Sequence, residues 1–425
     1  MKTSAFKNIY FLDRSLIHSL PTPVATYIQS QGLLSSINGL NTSFCGLISY
    51  QGKNYFFFPR QSNLIDIKQD PVRYCSMLMQ ALLKFAQLSR TQIRNPEDGA
   101  DEIGFEKLEM FKYLIHDFQQ HGIFKNEEVH LRKNSGKSDW KKTINRSISY
   151  PDSSGHPVYL DVFGKHRTSA NSEITRIHAA ILKQVYSNYG FIFTRNHNVP
   201  YSLKQFGDTN LSIDTQISIL KNEIRNHFAD RQTLLLKTLI EYLQGFKGNH
   251  QKNQIIGVTR FHVAWEHMLA NCFENVIDIN SKLPKPVFVR YDGQAIPAKK
   301  SGMRTDIVIK DTALHTLTVL DAKYYEATTV ENSPGWSDLV KQFFYEKALK
   351  EIIDFQDYQY QNIFIFPGKE VIFQKIKMQD QQSGDFLTNE FPEILCLYLD
   401  PLEILKKYFN NEKISLKYFF NDREK

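Results

Sequence analysis

Two apolar runs separated by a short polar stretch constrain this chain more than any other feature. The first reads Met303-Arg304-Thr305-Asp306-Ile307-Val308-Ile309 and the second Leu317-Thr318-Val319-Leu320-Asp321-Ala322-Lys323, with Lys310-Asp311-Thr312 between them. Both are rich in β-branched residues, so they read as antiparallel strands of one hairpin. Folding that hairpin about the midpoint between Ala313 and Leu314 sets Asp306 opposite Asp321. Side chains alternate along a strand, so Asp321 and Lys323 share a face while Ala322 points the other way. Two carboxylates and an ammonium then converge on one patch of a mostly apolar sheet.

Burying unpaired carboxylates is costly, and proteins rarely do it without a compensating ion. Mg²⁺ prefers oxygen and is commonly held by one or two carboxylates, with waters and substrate phosphate completing the octahedron. The expectation is therefore a Mg²⁺ site at Asp306 and Asp321. Lys323 would orient the attacking water or neutralise charge on the phosphorane. The bland alternative is an Asp–Lys salt bridge on a solvated sheet face.

The flanking segments favour chemistry. Val258 to Leu269 has the 3.6-residue period of a buried helix, with Val258, Phe261, Trp265, Met268 and Leu269 apolar and Glu266 beside that stripe. Trp336 to Lys350 reads as an amphipathic helix with Leu339, Phe343, Ala348 and Leu349 inward. Lys341, Gln342 and Tyr345 fall on its more polar side, and Gln342 and Tyr345, three apart, are neighbours.

This order of helix with Glu, strand with Asp, strand with Asp-x-Lys, and helix with Gln and Tyr resembles the PD-(D/E)xK nuclease core. The resemblance implies an α/β fold with a mixed central sheet flanked by helices. It also implies Asp306 and Asp321 as metal ligands with the Ala322 carbonyl as a third, Lys323 assisting the water, and Glu266 supporting the metal shell. Gln342 and Tyr345 become supporting residues. Thr305 stands where the family has Pro, the second acid is Asp rather than Glu, and Gln-x-x-Tyr is one residue shorter than the RecB-like spacing.

A narrower resemblance spans about Phe44 to Pro367. Gly136-Lys137-Ser138-Asp139-Trp140-Lys141-Lys142-Thr143-Ile144, the Pro157-Val158-Tyr159 strand, the Ile174-Thr175-Arg176-Ile177-His178 helix start and Asp338 to Glu346 look like the LlaJI restriction endonucleases. That family is related to McrC subunits, in which a β-rich amino-terminal part docks on an AAA+ GTPase. The resemblance thus implies a restriction endonuclease acting on double-stranded DNA, a possible McrB-like partner, and the hairpin Phe44 to Arg60 as docking element or ordinary core. Alternatives are a RecB-like end-processing nuclease and a non-catalytic DNA-binding subunit of an AAA+ motor.

At 425 residues the chain has room for two or three domains. Three regions are expected: residues 1–65, β-rich; 66–246, mainly helical and devoted to specificity or assembly; and 254–425, the nuclease domain. The polar Gly248-Asn249-His250-Gln251-Lys252-Asn253 stretch is the boundary. Four cysteines, Cys45, Cys75, Cys272 and Cys396, lack C-x-x-C spacing, so zinc is not expected and buried thiols are. No run reaches a membrane span and the start lacks a hydrophobic signal core, which suggests a cytoplasmic protein. A Walker A sequence is absent, so this chain is not expected to hydrolyse nucleotides itself.

Net charge is +7 and unevenly spread. Lys125, Arg132, Lys133, Lys137, Lys141, Lys142 and Arg146 cluster, and Lys299, Lys300 and Arg304 precede Asp306. Lys137, Lys141, Lys142, Arg304 and Lys341 are the candidate DNA contacts. Trp140 amid lysines suits stacking on bases, with anchoring of a loop to the core slightly preferred. A duplex cut needs two active sites or two nicks, which suggests a homo-oligomer or larger assembly on DNA.

Overall fold

The computed structural model describes residues 8–35, 39–91, 101–170, 172–196, 198–225, 229–245, 253–298 and 302–420. Lys299, Lys300 and most of the polar boundary stretch lie outside them. The chain forms two compact units, one built from residues 1–108 with 252–425 and the other from 109–251.

The first unit holds a mixed six-stranded sheet, ordered Val276–Ile277, Ile307–Asp311, Thr316–Ala322, Gln359–Pro367, Ile394–Leu399 and Lys375–Ile376. Ile307–Asp311 and Thr316–Ala322 are antiparallel with Ile307 opposite Leu320, so the next step of the ladder faces Asp306 to Asp321. Asp311 closes the turn by accepting from the Ala313 and Leu314 amides. From Thr316–Ala322 the chain crosses through the helix Trp336–Lys350 to the parallel strand Gln359–Pro367. Such a crossover is what a parallel pair requires. Val308, Leu317 and Val319 pack there on Ala348, Leu349 and Phe355, and Phe364, Phe366, Ile394 and Cys396 form a second cluster.

Two local expectations change here. Val258 ends a strand, Gln254–Val258, and the helix starts at Phe261 and runs to Cys272. Arg260, with φ of 50°, breaks the chain between them. Secondly, the Trp336–Lys350 helix turns a polar row inward: Asp338, Gln342 and Glu346 are buried. Glu346 is satisfied by Asn362 Nδ2 at 2.6 Å and Lys350 Nζ at 2.7 Å, which offsets its desolvation.

The same unit contains a five-stranded sheet, ordered Asn8–Leu12, Lys53–Phe58, Cys45–Tyr50, Gln254–Val258 and Glu102–Ile103. The β-rich amino-terminal region is thus built together with the carboxy-terminal core, because Gln254–Val258 completes its sheet. Gln51 and Gly52, with φ of 50° and 74°, make the tight hairpin turn that two positive-φ residues allow. Gly46 pairs with Gly257, and a Cβ on Gly257 would lie 2.2 Å from the Cys45 carbonyl oxygen. Phe44, Phe56, Phe57 and Phe58 are all buried, so these aromatics of the hairpin belong to the core. The four cysteines are free and buried, as expected.

The second unit packs the helices Glu173–Thr194, Ile213–Ile224 and Asp230–Gly245. Its three-stranded sheet is ordered Asn126–Lys133, Phe163–Ala170, Lys137–Ser138. The Pro157-Val158-Tyr159 strand forms as expected, and beyond it Asn134 Oδ1 accepts from the Val162 amide at 2.8 Å before the next strand begins at Phe163. His178 Nδ1 accepts from the Phe124 amide and Thr175 Oγ1 donates to its carbonyl, so one helix face secures both polar groups of that peptide. Arg231 grips the buried Asp117 in a bidentate pair at 2.7 and 2.9 Å. Trp140 is 55% exposed at the start of the short helix Trp140–Arg146, so it does not anchor the loop to the core. Among the described residues no helix is long and apolar enough to cross a membrane.

Candidate active site

The hairpin delivers its acids as the pairing dictates. Asp321 is 6% exposed, whereas Asp306 remains open to solvent on one side. The two carboxyls face each other across the ladder, and Asp306 Oδ2 accepts from the Ala322 amide at 2.9 Å. Crowding by protein, then the charges of Asp321 and Glu266, hold the Asp306 carboxyl well above the usual range. Because Asp306 is exposed to solvent, the facing carboxylates contribute more to this shift than burial does. The N–H and C=O of a strand residue face the same neighbour, so the Ala322 carbonyl also leaves its strand on the Asp306 side.

Lys323 Nζ lies 2.8 Å from Asp321 Oδ2 and 2.9 Å from Asp338 Oδ1. Burial opposes its charge, but Asp321 and Asp338 outweigh burial and raise its pKa. The ammonium is thus a fixed positive charge at neutral pH. The Phe364 ring stands 5.7 Å from it.

The neighbouring elements are tied to this point. Thr305, immediately before Asp306, is buried, and its N–H donates to Asn280 Oδ1 at 2.9 Å. Tyr324 packs on Phe261 and Trp265. Its hydroxyl accepts from the Arg60 amide at 2.8 Å and its carbonyl from the Arg60 guanidinium at 2.9 Å. The residue after Lys323 is therefore bolted to the amino-terminal sheet.

A cavity of about 390 Å³ collects Asp306, Asp321, Ala322, Lys323 and Glu266, together with Lys341 and Tyr345. Burial first, then Asp321 and Asp306, push the Tyr345 hydroxyl up to about 12. Arg304 lines an adjoining cavity of about 400 Å³ with Glu266 and Asp306. Gln342 does not join them: it is fully buried, and its amide has no hydrogen-bond partner among the described residues. Lys137, Lys141 and Lys142 belong to the second unit, the first two exposed and the third half-buried.

Three further residues belong to the site. Arg14 and His262 line the main cavity, and the His262 pKa is lowered by burial, then by Arg14 and Arg260. Arg14 sits at φ of 66° in the turn after the first strand, and nothing in the sequence marks it. Asp338 holds Lys323, and its spacing of four from Gln342 and eight from Glu346 is the only sequence trace of the inward polar row.

The Type II restriction enzyme BsuMI component YdjA of Bacillus subtilis is 22% identical over 416 residues, spanning 91% of this chain and 85% of that protein. McrC bound to McrB AAA+ hexamers of Thermococcus gammatolerans is 12% identical, covers 95% of this chain and 100% of that chain, and has a TM-score of 0.37. A second structure, the McrBC complex of the same organism, is 10% identical with a TM-score of 0.24, covering 56% and 80% of the two chains. Residues 44–401 match the sequence profile of LlaJI restriction endonucleases, and the chain belongs to that family.

Proposed function

We propose that this chain hydrolyses phosphodiesters of double-stranded DNA with Mg²⁺, as the nuclease of a restriction–modification or McrBC-like defence system. The observation that carries this reading is the pair Asp306 and Asp321, carboxyl to carboxyl, with the Lys323 ammonium 2.8 Å from Asp321. Two carboxylates facing each other are an oxygen donor set suited to a hard divalent cation. No group of three His, Cys, Asp or Glu among the described residues forms a closed metal cage. An open set of two carboxylates and the Ala322 carbonyl is what Mg²⁺ commonly takes, since water and phosphate fill the rest. When bound, the cation lowers the pKa of a water and polarises the phosphoryl oxygens.

The chain's own groups do the remainder. Asp306 and Asp321 hold the cation, and Glu266 supports the outer shell. Lys323, protonated, donates to the attacking water or to the phosphorane and does not act as a base. Arg14 and Lys341 line the cavity and Arg304 the adjoining one, where they neutralise scissile and flanking phosphates. Tyr345 supports the carboxylates, and Gln342 fills the helix–sheet interface behind them. Lys137, Lys141 and Lys142 track the DNA backbone in a region devoted to specificity and assembly.

The word "component" in the BsuMI relative's name supports a multi-subunit system. An AAA+ GTPase is the partner we assign, with the nuclease acting as a homo-oligomer or larger assembly to cut both strands. The test is incubation of purified chain with supercoiled plasmid and Mg²⁺, with and without a co-expressed AAA+ partner and GTP. Linear products in the presence of Mg²⁺, lost in Asp306→Ala, are expected. A preference for DNA ends over closed circles would favour the RecB-like alternative, and no cleavage in either arm would leave a DNA-binding subunit.

A further inference from the structure

We infer that Asp338 is the positioning residue that keeps the Lys323 ammonium in the site when a divalent cation takes Asp321. This inference rests on the metal site proposed above. Lys323 is shared almost equally, at 2.8 Å from Asp321 and 2.9 Å from Asp338, and all three side chains are largely withdrawn from solvent. The two acids come from different elements: Asp321 from the strand Thr316–Ala322 and Asp338 from the first turn of the helix Trp336–Lys350.

The arrangement has a consequence for cation binding. A dication on Asp321 sets two positive charges on one carboxylate, and an ammonium with no other partner must either resist the dication or leave. Asp338 removes that conflict. It lies in the helix's first turn, where unsatisfied amides favour an anion. The Tyr325 hydroxyl, 3.3 Å from its Oδ2, fixes the carboxylate further. Lys323 can thus relax from Asp321 towards Asp338 by a small motion, stay beside the phosphate and remain charged. Asp338 touches neither cation nor substrate in this scheme and acts through Lys323.

The experiment is a Mn²⁺ titration followed by electron paramagnetic resonance, on the full chain and its variants, with kcat and KM for plasmid cleavage measured in parallel. Asp338→Asn keeps the shape but not the charge. It is expected to weaken Mn²⁺ binding roughly ten- to a hundredfold, the scale of one charged hydrogen bond, and to lower kcat with little change in KM. In a Lys323→Met background the same substitution is expected to have a much smaller effect on Mn²⁺ affinity, because no ammonium competes. Asp338→Glu is expected to recover part of both losses.

Wild-type Mn²⁺ affinity in Asp338→Asn overturns the inference, as does an equal loss in the presence and absence of Lys323, which would mean a through-space effect of charge. Asp306→Ala and Asp321→Ala separate the two levels. If they abolish Mn²⁺ binding while Asp338→Asn leaves it intact, only the role of Asp338 falls. If they too leave it intact, the metal site falls and this inference with it.

Discussion

Asp306 and Asp321 face each other at the open end of the hairpin, one ladder step beyond Ile307 and Leu320, with Asp306 Oδ2 accepting from the Ala322 amide at 2.9 Å. Two facing carboxylates cost stability unless a proton or a cation compensates them. Asp306→Asn keeps the amide contact and removes the group that can ionise. We expect loss of cleavage by at least about a hundredfold together with a small rise in Tm, on the order of a few degrees. Calorimetry without divalent ions checks the second outcome, and a lowered Tm would contradict the picture of facing charges.

Lys323 sits between two acids that hold it charged, so its contribution is electrostatic. Lys323→Ala is expected to reduce cleavage by about a hundred- to a thousandfold, the scale of losing one preorganised donor. DNA binding, measured by fluorescence anisotropy in Ca²⁺, should change no more than a few fold. Near wild-type turnover in this variant would remove the basis of the site assignment.

Asp13, beside the cavity-lining Arg14, offers a test of pH dependence. It is buried, and burial raises its pKa to about 6 despite the opposing Arg14 charge and the Phe44 and Arg14 amides that its carboxylate accepts. A folded pKa above the unfolded value of 3.8 means that the folded state binds the proton more tightly. Its contribution to stability is therefore greatest below about pH 4 and is lost as pH rises through about 6. Asp13→Asn retains an oxygen for both amides and abolishes the titration. Urea denaturation should show a gain at pH 7 on the order of 3 kcal/mol at most and none at pH 4. An identical gain at both values would exclude this cause.

Arg231 and Asp117 form the best-defined ion pair of the second unit, and the Asp117 side chain is only 4% exposed. Arg231→Ala leaves that carboxylate buried and uncompensated, which should cost about 3 kcal/mol. Replacing both residues together, as Asp117→Leu with Arg231→Met, should recover much of the loss. Denaturant midpoints of the three proteins decide it, and an additive double variant would show that the pair is not coupled.

The sequence alone determined the hairpin, its register and the convergence of Asp306, Asp321 and Lys323. A two-residue side-chain period and a turn midpoint leave one pairing once the apolar residues must share a core. The helices around it were also legible from their 3.6-residue period, although Val258 was drawn into one of them because periodicity does not see the break at Arg260. Tertiary structure decided the rest. The inward row of Asp338, Gln342 and Glu346 contradicts the rule that apolar residues face the core, because Lys323 and Asn362, distant in sequence, supply the partners that make burial of the two acids tolerable. Arg14 reaches the cavity from the turn after a strand almost three hundred residues upstream because Gln254–Val258 ties the amino-terminal sheet to the unit that carries the hairpin. Local pattern encodes which face a residue presents; only the closed chain decides what that face meets.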